Sequence, residues 1–399
     1  MNPAEFTDSK AGRLIRSGAD YWAFVPNPLP PNIDLDWPLA SRLTDAMIAL
    51  GELAGLTRNL PNSHLLMGPF ARREAVLSSR IEGTQAALPD LVLFEGAQVE
   101  QPTAPDVREV SNYVRALEHG LARLSDLPLS LRLIREMHAI LMEGVRGGHA
   151  TPGEFRRSQN WIGWPGSTLA TATYVPPPVP EMLDALNDLE NYLDAAGDYP
   201  PLVRMAVAHY QFEAIHPFVD GNGRIGRLLI SLLLCQDQLL PQPVLYLSAF
   251  FEHHCQRYYE LLLGVSREGK WKEWLDYFLT GVAEQSRDAI WRAGKLLDLW
   301  REYREWLAKN RSAGLLMQLI DALFEMPVIT IPRAAKLLGI THRAATLNVD
   351  KLVAAGILTE VTGRERNRAF MARRIVEIAD DPAGAARAQK PAEVGHDRR

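Results

Sequence analysis

The sequence predicts a mainly α-helical chain, broken once by a β-hairpin and followed near its end by a helix–turn–helix unit with a β-wing. Three observations carry that reading. Apolar residues recur at helical spacing through most of the first 280 positions. Residues 153–180, "GEFRRSQNWIGWPGSTLATATYVPPPVP", switch to aromatic and β-branched text on both sides of Pro165-Gly166, the mark of a hairpin with a long tip. Residues 331–361, "IPRAAKLLGITHRAATLNVDKLVAAGILTEV", give two short helices around Gly339-Ile340 and then a strand, and "GRERNRAFMA" returns as a wing.

The elements follow in order. "FVPNPLPPNIDLDWP" is too rich in proline for a helix and is expected to drape over a neighbour. Residues 39–56 have helical spacing, and "PFARREAVLSSRIEG" is a second helix that stops at Gly83 as a C-terminal cap. "EQPTAPD", residues 100–106, reads as a linker whose Asp106 can cap the next helix. "VREVSNYVRALEHGLARL" and "SLRLIREMHAILMEGV" are amphipathic helices. Met205, Ala208, Phe212 and Ile215 form an apolar stripe, and residues 228–235 are apolar on nearly every face, as in a helix at a domain centre. Residues 290–309 read as a connecting helix, and the text beyond Asp380 has no periodicity. The expected division is an N-terminal helical region over 1–100, a helical core over 101–280, a connector over 281–310, a winged helix over 311–378 and a disordered tail over 379–399.

A chain of 399 residues with a formal charge of -5 has room for two or three cores and no global affinity for polyanions. Only two cysteines, Cys235 and Cys255, argue against a disulfide framework and against a cysteine-rich metal site, and suit a reducing cytoplasm. "LLISLLLC" is far shorter than a membrane span, and the first residues lack the apolar core of a signal peptide.

The chemistry concentrates in "HPFVDGNGRIGR", residues 216–227. His216 before Pro217 ends a helix. Gly221 and Gly223 allow consecutive N–H groups to face one side, and that nest feeds the start of the next helix, an anion site. Arg224 and Arg227 share a helix face and can both reach the same ligand. Asp220 is the carboxylate within the run, sufficient for Mg²⁺ when substrate phosphates supply the other ligands. His216, near its ordinary pKa, can take a proton from an attacking hydroxyl. Together these residues suit binding of a Mg-nucleotide and in-line transfer to an acceptor. A transition-metal site from His216, Asp220 and His209 is the competing reading, and it leaves the anion-binding parts without a role.

At all nine fixed positions the run resembles the Fic-domain signature H-P-F-x-D/E-G-N-G-R-x-x-R: His216, Pro217, Phe218, Asp220, Gly221, Asn222, Gly223, Arg224 and Arg227. The resemblance implies a helical Fic fold and transfer of AMP from ATP to a hydroxyl of a target protein, with release of pyrophosphate. Other transfers of the family, of phosphoryl or phosphocholine groups, stay open. It implies His216 as general base, Asp220 as Mg²⁺ ligand, the loop of Gly221, Asn222 and Gly223 on the α- and β-phosphates, and Arg224 and Arg227 on the β- and γ-phosphates. "SSRIEG" is similar to the family's inhibitory motif S/T-x-x-x-E-G/N at Ser78, Glu82 and Gly83. By that likeness Glu82 pairs with Arg227 and blocks the γ-phosphate, although an exposed glutamate after a helix is the plainer reading of the residues alone. The hairpin resembles the family flap, with Asn160, Trp161, Ile162 and Gly163 expected to take a target segment as an added strand. Tyr258, in "CQRYYELLLGV", is a candidate nucleotide contact, with packing as its alternative. A homodimer is also implied.

Residues 333–374 carry nine cations against three carboxylates, six net positive charges on a chain of net -5. The winged helix is therefore expected to bind either DNA or another protein. The expected function is autoinhibited AMPylation of a target protein and of the chain itself. The alternatives are a nucleotide-sensing DNA-binding regulator, and removal of AMP with Glu82 orienting a water.

Overall fold

A computed structural model describes residues 1–8, 10–18, 21–58, 64–97, 105–145, 151–195, 197, 199–309, 314–364 and 366–382. It opens with a two-stranded antiparallel hairpin, β1 (Gly12–Ser17) and β2 (Tyr21–Pro26), in register from Gly12 opposite Pro26 to Ser17 opposite Tyr21. The N-terminal region is therefore not helical from its start, as the sequence suggested. "YWAFVP" is a strand because its aromatic and β-branched side chains pack into the core, with Tyr21, Ala23, Phe24 and Val25 buried. The proline-rich arm that follows has no helix or strand. Tyr199 pins it, its hydroxyl donating to the Pro31 carbonyl at 2.8 Å and accepting from Ile33 N at 2.9 Å.

Five helices come next: α1 (Trp37–Arg58), α2 (His64–Ile81), α3 (Leu88–Ala97), α4 (Pro105–Arg123) and α5 (Leu131–Leu141). Most of the expected linker before α4 lies outside the described residues. Asp106 falls inside the first turn of α4, and its carboxylate accepts from Gln85 N at 3.0 Å, tying α4 to the end of α2 instead of capping its own helix. The expected hairpin over residues 153–180 is reduced to one antiparallel bridge, Ile162 to Tyr174. Proline and inward-turned polar side chains replace a ladder here: Asn160 and Gln159 bond to neighbouring carbonyls, and Trp161 Nε1 donates to the Ser167 carbonyl at 3.0 Å.

Then follow α6 (Val179–Asp194), α7 (Pro201–Ile215), α8 (Asn222–Gln236), α9 (Ser248–His253), α10 (Cys255–Glu268) and α11 (Trp271–Lys309). The expected connector is not a separate element: α11 runs unbroken for 39 residues from inside the helical core. Nothing in it caps or breaks the backbone, and α1 packs along it with Arg42 on Asp276 at 3.0 Å. Among the described residues no helix is long and apolar enough to cross a membrane.

The last unit comprises α12 (Gly314–Glu325), β3 (Val328–Thr330), α13 (Ile331–Leu338), α14 (His342–Ala354), β4 (Thr359–Glu360), β5 (Ala369–Met371) and α15 (Arg373–Asp380), with sheet order β3-β5-β4. Thr330 and Thr341 cap α13 and α14 by accepting from Arg333 N and Ala344 N. This unit is bound tightly to the rest. The Gly68 backbone of α2 meets Glu325 so closely that a Cβ there would collide with its carbonyl, 2.8 Å from the carbon. Arg72 reaches Glu95 at 2.7 Å and the Glu325 carbonyl at 3.3 Å. Arg292 of α11 gathers the carbonyls of Ile378, Ala379 and Asp381 at the end of α15. Thus α2 touches the winged helix at one end, and its other end faces the site described next.

Candidate active site

The run of residues 216–227 is the turn between α7 and α8. His216 is the C-cap of α7 with φ 49° and ψ 60°, a left-handed conformation rare outside glycine and a point of stored strain. Gly221, with φ 81°, is the N-cap of α8, where a side chain would be strained. These two reversals fold the loop back so that His216, Asp220 and the first turn of α8 converge.

Five side chains hold the loop: Phe218, His138, Arg156, Asn222 and, from the flap, Asn160. Phe218 anchors it, fully buried and stacked on His138 with ring centroids 3.7 Å apart. His138 accepts from Gly153 N at 2.9 Å through Nδ1 and therefore donates from Nε2 to the Asp220 carbonyl at 3.0 Å. Burial pushes its pKa down to about 4, so it stays neutral and acts as a bracket. Arg156 is buried and donates from Nε to the His216 carbonyl at 3.0 Å. Asn222, expected on the phosphates, spends its side chain on Phe218: Oδ1 accepts from Phe218 N at 2.8 Å and Nδ2 donates to Phe218 O at 2.9 Å. Its side chain is a brace, and only its backbone remains for a ligand.

His216 does not sit near its ordinary pKa. Burial, and next the Arg156 charge, push it down to about 4, and its Nδ1 is buried without a hydrogen-bond partner. It is therefore an unprotonated imidazole across the neutral range. His209 is not available to a metal, since Nδ1 faces the Gly226 carbonyl at 3.0 Å and Nε2 the Tyr258 hydroxyl at 2.8 Å. That bond also places Tyr258 in the core, 1% exposed, so it is a packing residue and not a nucleotide contact. Its neighbour Tyr259, 46% exposed, is the tyrosine on the open side, where burial and then the Glu82 charge raise its pKa.

The two arginines are buried and already partnered. Arg224 bonds Glu109, which the sequence reading missed, and Asp220 Oδ1 at 3.4 Å. The Asp220 carboxylate, 56% exposed, otherwise accepts from Gly221 N at 2.6 Å. Among the described residues no three His, Cys, Asp or Glu side chains form a metal-binding group. Arg227 donates from Nε to Ser78 Oγ at 2.8 Å, and from Nη2 to Ser78 O at 2.9 Å and Glu82 Oε1 at 2.6 Å. The helix α2 stops at Ile81, and Gly83 turns the chain away with φ 96°. Glu82 thus stands just beyond the helix end with its carboxylate against Gly223, in the space a Cβ there would need. It covers both the guanidinium and the glycine loop. Glu74 holds this end of α2 in place through Tyr113 at 3.0 Å and Ser248.

On the flap, Asn160 faces inward and donates to Phe218 O at 2.9 Å and His216 O at 3.3 Å. Trp161 and Ile162 are exposed beside Gly163, as is Trp164 at 82%. Val219, on the loop itself, adds to this open apolar rim.

Residues 40–122 match the family described as Fic/DOC family N-terminal, residues 128–234 the Fic/DOC family, and residues 316–371 an HTH DNA binding domain. The first match contains Ser78 and Glu82, and the second the whole loop. Over 174 residues the chain is 31% identical to a protein adenylyltransferase Fic of Aedes aegypti, spanning 42% of this chain and 30% of that one. Over 161 residues it is 29% identical to protein adenylyltransferase fic-1 of Caenorhabditis elegans, spanning 40% and 29%. The chain thus covers less than a third of the length of these curated relatives. A Fic family protein from Desulfovibrio desulfuricans G20 superposes with a TM-score of 0.56 at 18% identity, over 86% of this chain and 98% of that one, which shows a shared fold.

Proposed function

The chain is a Fic-domain protein, and from that premise we propose that it transfers AMP from Mg-ATP to a hydroxyl of a target protein and of itself, under the restraint of Glu82. The observation that carries the reading is the convergence of His216, Asp220, Arg224 and Arg227 at one loop–helix junction whose cations face the glycine loop. His216, unprotonated, takes the proton of the acceptor hydroxyl. The freed oxygen forms a bond to the α-phosphorus, and the bond from that phosphorus to the bridging oxygen breaks. Charge then builds on the departing pyrophosphate, where buried arginines and loop amides act most strongly. Asp220, the exposed carboxylate, would hold Mg²⁺, which supplies charge neutralisation on the phosphates. Glu82 opposes all this while it occupies Arg227 Nη2.

Incubation of a cell lysate with ATP labelled in its phosphates tests the type of transfer. Label in the α-phosphate is expected on protein and label in the γ-phosphate is not. The reverse pattern would make the protein a phosphoryl transferase. Net loss of AMP from a pre-labelled target would favour the removal reaction.

A second reading concerns the winged helix. Arg343, Leu347 and Lys351 form an exposed stripe at i, i+4 and i+8 on α14, and Arg364 and Arg366 are exposed on the wing. We propose DNA binding through this face. A gel shift on random duplex is expected at low salt, weakening steeply as salt rises. Arg364→Ala with Arg366→Ala weakens it across all sequences. No shift at low salt ends this reading and leaves Leu347, 59% exposed, as a protein contact.

A further inference from the structure

A second carboxyl group shares the space of Arg227. Glu213 lies on α7, one turn before His216, and its Oε1 is buried with no hydrogen-bond partner. It lies against Gly226 in the space a Cβ would need, beside His209. The Arg227 Nη1 is likewise buried without a partner. The Arg227 guanidinium is thus bonded by one carboxylate, Glu82, while a second carboxyl group, Glu213, lies against the preceding residue Gly226 and within reach of its charge.

We propose that Glu213 is a positioning residue that sets how much of the Arg227 charge an incoming nucleotide triphosphate can use. Neutral, Glu213 leaves that charge free. Ionised, it becomes the counter-charge of Arg227 and repels the phosphates. Triphosphate binding therefore favours the protonated form, and binding is coupled to proton uptake wherever free Glu213 is ionised.

Burial pushes the Glu213 pKa up to about 8, with Arg227 pulling it down and Glu82 adding to the rise. The other charged and titratable groups facing it come from three further elements and from its own. His209 and His216 are pushed by burial down to about 3 and about 4. Tyr258 and Tyr259 of α10 are raised by burial above their ordinary value. Arg227 keeps its proton: burial, the largest single influence, lowers its pKa, but Glu82, Tyr258 and Tyr259 together raise it, and a guanidinium stays charged across this range even without Glu82. None of these changes charge between pH 6 and 9, which leaves Glu213. Removing Glu82 removes part of the rise, so in that protein the ionisation moves to lower pH.

The inference rests on the transfer reading for its nucleotide and is tested by binding, which needs no turnover. The dissociation constant of Mg-ATP is measured by calorimetry on full-length Glu82→Gly protein from pH 6 to 9. It is expected to rise by up to about tenfold per pH unit once Glu213 ionises, with proton uptake seen as a dependence of the heat on buffer ionisation enthalpy. Glu213→Gln in the same background is expected to bind with little pH dependence and to keep its low-pH affinity. The proton-uptake measurement stands even if that second variant folds poorly. A flat profile in the Glu82→Gly protein, or an equal rise after Glu213→Gln, overturns the proposal. Binding with this pH profile but no labelling of protein would sink the transfer reading alone, and no binding at any pH would sink both.

Discussion

Replacing Glu82 by glycine raises incorporation of AMP into the protein itself by about 5–150-fold, the usual span of a coupling between two sites. The carboxylate bonds Arg227 Nη2 at 2.6 Å and covers Gly223, so its removal opens both the cation and the anion loop. The fold should survive, because Glu82 lies past the end of α2 and its side chain is a third exposed, at 33%. Ser78 keeps Arg227 oriented through Nε and Nη2. Glu82→Gln, which can still bond to the guanidinium but without charge, is expected to fall between the two. The check is label from α-phosphate-labelled ATP on purified protein, and equal incorporation by wild type and Glu82→Gly would remove the inhibitory role.

Replacing His216 by alanine in the Glu82→Gly background lowers that incorporation by about 10²–10⁴-fold, the worth of a positioned general base. ATP affinity should hold, since the phosphate-binding groups are the arginines and loop amides. The loop itself is held by the His216 carbonyl, which Arg156 and Asn160 bond and alanine retains. The acid limb of the pH profile follows with a definite sign. A base must be unprotonated, so activity is lost as pH falls through its pKa. With burial holding His216 at about 4, labelling should persist well below pH 6.5. An acid limb centred near 6.5 would mean the imidazole is solvated when the site opens.

The sequence was most informative where the chemistry is contiguous. Twelve contiguous residues carry the His216 imidazole, the Asp220 carboxylate and both arginines, so the pattern could be read even though distant residues such as His138 and Arg156 hold the loop in shape. The pairing of Glu82 with Arg227 was legible only through the likeness to the family's inhibitory motif, since the residues alone read as an exposed glutamate after a helix; the structure sets Ser78 and Glu82 on Arg227. What escaped is long-range. Glu109 reaches Arg224 across 115 positions, and His138 reaches the Asp220 carbonyl across 82, with no local signal in either helix beyond an amphipathic pattern. The bracing role of the Asn222 side chain also escaped, because an Asn between glycines looks like a ligand-facing loop residue, whereas the turn consumes both ends of its amide and leaves its backbone for a ligand. Tyr258 was left between nucleotide contact and packing because two adjacent tyrosines on a helix point in different directions, and only the fold says which faces the core. The N-terminal hairpin was hidden by its brevity, and α11 by an internal glycine that packs against Phe250 instead of ending the helix.

The fold also ties the helix that precedes Glu82 to distant structure. Helix α2 is fixed by Glu325 at one end and by Arg227 at the other, with Glu74 held between them. Rigid packing of this kind transmits displacement along the helix.

The most direct measurement is the intact mass of purified Glu82→Gly protein after incubation with Mg-ATP, run beside the same protein carrying His216→Ala. A gain of one or more adenylyl groups in the first and none in the second is the expected result. Unchanged mass in both would contradict AMP transfer by this site, and equal gain in both would contradict His216 as its base.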